Sequence, residues 1–222
     1  MAEFSLDKDQ NHEILSRRER EKLAHRQDIL DAATRVFAKK GFFNATLDEI
    51  AQEAEFSKGA LYLYFNNKED LLYTIMKEKT SKIDEFVEEI LNEGIPFKEE
   101  LRLFLQKLAS FSFSDKEFLQ IFIVQHAAFF RSLSPDKARE FCSAHEEHDQ
   151  KVINRIDGAI KQGELRNLDS RSIYGMIHGA SENMMFSRWE CTTEQDLYSK
   201  IDIFIDMLFN GIARKKEVGS EQ

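Results

Sequence analysis

Proline is almost missing from this chain, with two in 222 residues, and glycine is scarce at nine. Long helices are therefore expected, and a turn-rich β fold is disfavoured. Cysteine is scarce too. Cys142 and Cys191 make no disulfide framework and point to a reduced, cytoplasmic setting. No stretch approaches the roughly 18 uninterrupted apolar residues of a membrane span. The start, MAEFSLDKDQNHE, has no apolar run behind a basic head, so no signal peptide is expected. Positive charge is also short, with a net charge of −9. That sum counts against nucleic acid, but its distribution matters more. From Ser16 to Lys40 there are eight Lys or Arg against four Asp or Glu, and the acid excess lies later, at Glu85–Glu93 and Glu146–Asp149.

What is present suits a soluble folded protein, with 42% hydrophobic and 32% charged residues. The 19 phenylalanines imply a bulky core, a lipophilic cavity, or both. Residues 1–15 are polar and aperiodic, and 1–22 reads as a disordered, basic arm. Arg17 and Arg18 in it are either a solvated helix start or phosphate contacts.

From Arg26 to Lys40, Ile29, Ala32, Ala33, Val36 and Phe37 repeat at helical spacing, and Gly41 stands where a helix stops. Thr46-Leu-Asp-Glu49 is a capping box that starts a second helix, with Leu47, Ile50, Ala51 and Ala54 inward. At about eight residues this helix must dock on its neighbours to persist. Ser57 caps a third helix. Lys58, Gly59 and Ala60 fill its first turn, Leu61 and Phe65 point inward, and Tyr62 and Tyr64 face out. Gly59 permits either close approach to an external surface or tight packing on the first helix. Residues 46–65 thus read as a helix-turn-helix suited to a DNA groove. Asn67 caps a fourth helix, which is either continuous to Glu93 or broken near Thr80–Lys82.

Ile29-Leu30, Ala32-Ala33, Phe37, Gly41-Phe42, Thr46, Ile50-Ala51, Ala54, Ser57-Lys58-Gly59-Ala60-Leu61-Tyr62, Tyr64-Phe65, Lys68-Glu69 and Leu71 carry a resemblance. Over about residues 23–83 they resemble the DNA-binding domain of the TetR (tetracycline-repressor-like) family. Ala45 departs from the frequent Thr or Ser before the second helix. Glu55 departs from the frequent glycine in the turn before the third. The resemblance implies phosphate contacts from Thr46, Tyr62 and Lys68, with Lys58, Gly59 and Ala60 facing bases. Lys58 is the one long hydrogen-bond donor there, and a Lys donates to guanine O6 or N7. Selectivity then leans on few contacts plus DNA shape.

Residues 84–215 read as an all-α ligand-binding and dimerisation domain, and 216–222 as a tail. Further helices are expected near 96–111, from Ser114 as a cap, from Ser134-Pro135 to about Gln162, from Leu168-Asp169 to about Glu190, and from Thr192 or Thr193 to about Arg214. The last is apolar nearly all round, so it must bury two sides. Its neighbour carries Gly175 and Gly179. Either the pair is buried within one chain or, as the resemblance implies, it forms a four-helix dimer interface through Gly175, Gly179, Ile201, Phe204, Ile205 and Leu208. Phe104, Phe111, Phe118, Phe122, Phe129, Tyr174, Met184, Met185, Phe186 and Trp189 are core residues or the lining of a lipophilic site, with Gln125, His126, His178, Glu182, Asn183 and Arg188 as polar anchors.

Cys142, His145 and His148 suit a transition metal by type, yet they progress round a helix and lack an evident fourth ligand. An all-α metal enzyme using them is the alternative reading, and a ligand-blind DNA-binding protein is another. The reading adopted is a non-enzymatic, ligand-responsive, homodimeric transcriptional repressor. Its expected partners are a double-stranded DNA operator and a lipophilic effector. No cofactor, bound metal or membrane is expected.

Overall fold

The computed structural model describes residues 16–91, 93–122, 133–187, 191 and 193–212. Among these there is no strand. No described helix is long and apolar enough to cross a membrane.

The first helix, α1 (Arg17–Lys40), begins well before the expected start at Arg26. Ser16 and Glu19 form a reciprocal capping box, which suffices to start a helix among charged residues. Residues 17–22 are therefore an exposed helical turn rather than a disordered arm. Gly41 ends α1 at φ 79°, a backbone that side chains disfavour.

α2 (Leu47–Glu53) starts at the Thr46–Glu49 capping box. It ends in a Schellman turn, with Phe56 N–H donating to Ala51 O and Glu55 N–H to Gln52 O. The left-handed position in that turn is held by Glu55 at φ 61°. α3 (Lys58–Tyr62) is capped by the Ser57 hydroxyl, which accepts from Ala60 N–H. α4 (Lys68–Leu91) is one unbroken helix whose first turn is capped by Asn67, so no break occurs near 80–82.

α5 (Phe97–Ser114) follows. A further helical stretch covers 116–122, and its cap is Asp115, which accepts from Phe118 N–H, rather than Ser114. α6 (Pro135–Lys161) has Ser134 as cap and proline in its first turn. α7 (Ser170–Ser187) starts behind Asp169. α8 (Glu194–Asn210) starts at a Thr193–Asp196 capping box.

α1 to α3 pack against the first half of α4 around Ile29, Phe37, Phe42, Ile50, Leu61 and Leu71. This core continues without a gap into Leu108, Phe118, Phe141 and Met185 of the larger body. A second core joins α5, α6, α7 and α8 around Leu105, Ile156, Ile177, Leu197 and Ile201. The expected boundary at residues 83/84 falls inside α4, which belongs to both halves. A helix shared in this way couples the two mechanically.

Candidate functional site

The reading head is built from α2, α3 and the loop before α2. Ser57, Lys58, Gly59, Tyr62 and Thr46 are all exposed, and Ala60 is half-buried. A methyl group added at Gly59 would meet only Ser57 Oγ, at 4.0 Å. Gly59 therefore faces open space and not α1. Tyr62 is 48% exposed. The Tyr64 hydroxyl lies 3.3 Å from His25 Nδ1, so it ties α3 to α1.

Lys58 Nζ is 2.7 Å from the Asp48 carboxylate on α2. The hydrogen bond to Asp48 and its charge push the Lys58 ammonium above its ordinary pKa. In the free protein Lys58 is thus held toward α2. Arg17 and Arg18 are exposed on the first turn of α1, and Arg17 pairs with Glu21.

Lys68 is engaged within the chain. Its ammonium donates to the carbonyls of Phe42, Phe43 and Ala45, at 3.0, 3.2 and 3.3 Å. It also lies 4.7 Å from the centre of the Phe42 ring. These three bonds let Lys68 fasten the α1–α2 loop. Sequence spacing alone carried no trace of this.

The second candidate site is an apolar cavity of about 380 Å³ between the two cores. Contacts of α6 with α4 and the segment after it fall in parallel order: the Tyr73 and Phe141 rings, His148 with Asp84 at 3.3 Å, Lys151 with Glu88 at 2.6 Å, and Arg155 with the carbonyl of Ile95 beyond α4. The two helices thus run side by side in one direction. The cavity follows them from Met76 and Phe141 to Leu91 and Arg155, a span of about 21 Å at the helical rise.

Phe104, Phe122, Tyr174, His178, Glu182 and Met185 of the expected ligand set line this cavity. Phe111 and Phe118 do not. They are buried beside it in a ladder with Phe86, and they fill the core. Asn183 is exposed and is no lining residue. Gln125, His126, Phe129, Arg188, Trp189 and the side chain of Phe186 lie outside the described residues. Among the lining residues missed by sequence reasoning are Asp84, Glu100, Asp149, Arg155 and the α4 wall of Ile83 and Val87. Asp84 carried a signal, because it interrupts the apolar stripe of α4 between Ile83 and Val87.

Cys142, His145 and His148 also line the cavity but take separate partners. His145 stacks on Phe141 and bonds the Phe141 carbonyl through Nδ1, while His148 faces Asp84. Among the described residues no group of three such side chains is arranged to hold a metal ion. Tyr174 donates to Asp149, and burial together with that bond pushes the phenol well above its usual pKa. Arg155 is held by Glu100 at 2.8 Å and Glu164 at 3.4 Å.

The expected dimer residues divide. Ile201 and Ile205 are 0% and 1% exposed within one chain and belong to its core, so they form no interface. Phe204 and Leu208 pack partly on that core. The outward face of α8 carries Ile203, at 61% exposed, and Met207. On α7, Met176 is 57% exposed between Gly175 and Gly179, whose added methyl groups would meet nothing.

Residues 29–74 match the model of the family described as bacterial regulatory proteins, tetR family. The fatty acid metabolism regulator protein of Bacillus subtilis (strain 168) is 30% identical over 196 residues, covering 84% of this chain and 95% of that protein. The crystal structure of the transcriptional regulator FadR from Bacillus subtilis, in complex with stearoyl-CoA, superposes with a TM-score of 0.71 at 26% identity, covering 84% of this chain and 99% of that one. PfmR from Thermus thermophilus, at 23% identity, shares the fold with a TM-score of 0.71, covering 91% of this chain and all of that one. With the exposed helix-turn-helix and the cavity behind it, these likenesses establish that the chain belongs to the tetR family of bacterial regulatory proteins, as a ligand-responsive, DNA-binding transcriptional regulator.

Proposed function

We propose that the chain acts in the cytoplasm as a homodimeric repressor that leaves a palindromic operator when a lipophilic molecule fills the cavity. One observation carries this reading. α4 walls the cavity through Ile83, Asp84 and Val87, and the same helix opens at Lys68, which fastens the loop leading into the reading head. A ligand that favours another placement of α4 therefore biases the position of α3. A tenfold loss of operator affinity needs only about 1.4 kcal/mol of differential binding.

In this reading Lys58, Gly59 and Ala60 face bases, Thr46, Ser57 and Tyr62 meet phosphates, Tyr64 braces α3, and Arg17 and Arg18 reach along the backbone. Gly175, Met176, Gly179, Ile203 and Met207, flanked by Phe204 and Leu208, form the dimer face. Two α3 helices roughly 34–36 Å apart then meet successive major grooves. The bound stearoyl-CoA of the Bacillus subtilis regulator supports a lipophilic effector.

The test is a gel shift of the full chain on DNA from its own upstream region. Retardation at low salt that is reversed by a lipophilic compound is expected. A folded dimer that retards no such DNA would sink the proposal.

A further inference from the structure

Leu63, at the end of α3, is 80% exposed. The helical turn does not stop at Tyr62. Leu63 N–H donates to Ala60 O and Phe65 N–H to Leu61 O, so the turn carries on through Leu63. The backbone of Leu63 is itself right-handed helical, at φ −72° and ψ −19°. Successive side chains on such a turn are about 100° apart. Leu61 points into the core and is fully buried. Gly59 and Leu63, four residues apart, then fall on either side of the direction opposite Leu61. Exposed Lys58 and Tyr62 flank that outward line on one side, and half-buried Ala60 and Tyr64 on the other.

Neither residue on the outward line has a side-chain donor or acceptor. A groove floor that meets this line can gain from its side chains only by apolar contact. In the major groove thymine presents an apolar group, its C5-methyl. Among the described residues Leu63 belongs to neither core, so packing of the chain does not account for it.

We infer that Leu63 reads sequence, by packing on the C5-methyl of one thymine in each half-site of the operator. This rests on the reading of α3 as the helix that faces the bases. The thymine lies in a base pair other than the one met by Lys58. Five residues set the two side chains about 7.5 Å apart along α3, and base pairs stack about 3.4 Å apart. A methyl group taken out of water by this contact is worth roughly fourfold in affinity per half-site, and about fifteenfold for two.

The experiment begins with selection of binding sites from random duplex DNA by the full chain, by Leu63→Ala and by Lys58→Ala. Leu63→Ala is expected to keep the position that Lys58→Ala relaxes and to lose a thymine preference at another. Its Tm should match that of the parent chain, since the side chain joins neither core. The selected site is then remade with deoxyuridine in place of that thymine, which deletes the methyl and keeps every hydrogen-bonding group. The parent chain should bind the deoxyuridine duplex roughly fourfold more weakly per half-site, and Leu63→Ala should bind both duplexes equally. Unchanged selection by Leu63→Ala overturns the inference. So does an equal loss on the thymine and deoxyuridine duplexes, which marks a contact with sugar or phosphate alone. Either result leaves α3 as the reading helix if Lys58→Ala alters the selected site. If neither variant alters it, α3 does not face the bases and both readings fall.

Discussion

The ammonium of Lys68 lies 3.0 Å from the carbonyl oxygen of Phe42 and directly over the ring of that same residue. A cation at the first residue of α4 thus closes the loop that delivers α2 and α3. Removing it by Lys68→Ala leaves three carbonyls without their shared donor. The expected loss is about 2 kcal/mol of stability, or roughly 4–8 °C in Tm for a chain of this size. The salt dependence of DNA binding is expected to stay unchanged. A phosphate contact would instead lower the slope of log affinity against log salt by about 0.9, so a salt titration of both proteins decides between the roles.

Lys58 is paired with Asp48 in the free protein, at 2.7 Å. Lys58→Ala is expected to relax specificity at one base pair per half-site, at a cost of about 1–3 kcal/mol there. Tyr62→Phe should weaken all sequences about equally. Asp48→Asn releases the lysine and removes a negative charge from the DNA side, so affinity should rise for every sequence. Binding-site selection on the three variants checks this division of labour.

Glu55 holds the left-handed position of the α2–α3 turn, at φ 61°. A side chain in that conformation costs on the order of 1 kcal/mol, which glycine avoids. Glu55→Gly is expected to raise stability by up to about 1 kcal/mol, offset in part by the freer unfolded chain. Glu55→Ala keeps a Cβ and should bring no such gain. Denaturant midpoints of the two variants separate backbone strain from loss of charge.

Asp70 on α4 receives the Lys137 ammonium of α6 at 2.5 Å. Burial would raise the Asp70 carboxyl, but the bonds from Lys137 and Asn66 outweigh it and hold the pKa below its ordinary value. A depressed folded pKa means that the pair stabilises the fold above the unfolded value near 4. That contribution is lost as pH falls through the folded value. Asp70→Asn should therefore cost on the order of 1 kcal/mol at pH 7 and nothing once both proteins are protonated. Unfolding curves at neutral and acid pH should converge if the sign is right.

Ile203 and Met207 lie on the outward face of α8, whereas Ile201 and Ile205 face the chain's own core. Ile203→Lys with Met207→Lys should leave the monomer folded and abolish the dimer, as read by analytical ultracentrifugation. Ile201→Ala should instead cost about 2–5 kcal/mol of stability by opening a core cavity, without that effect on association.

Local signals were legible in the residues alone. The capping box at Thr46, the cap at Ser134, the stop at Gly41 and the apolar stripe from Ile29 to Phe37 each act over three or four neighbours, so the chain states them outright. The helix-turn-helix and its family resemblance followed from the same short-range spacing, because an exposed α3 needs only its caps and inward Leu61 and Phe65. The early start of α1 was also local, through Ser16 and Glu19, but charged residues hid it from a reading that followed apolar periodicity.

Long-range contacts decided the rest. Spacing on α8 showed that two sides were apolar, but only the packing of α5 determined that Ile201 and Ile205 are core and Ile203 is left outside. Phe104 and Phe111 sit on one helix with like side chains, yet one lines the cavity and the other fills the wall beside it. Lys68 reaches three carbonyls more than twenty residues earlier, and Asp84 meets His148 from a separate helix. Hydrophobic attraction is non-directional. Composition and period therefore establish that a side must be buried, and only the neighbouring helix determines what it is buried against.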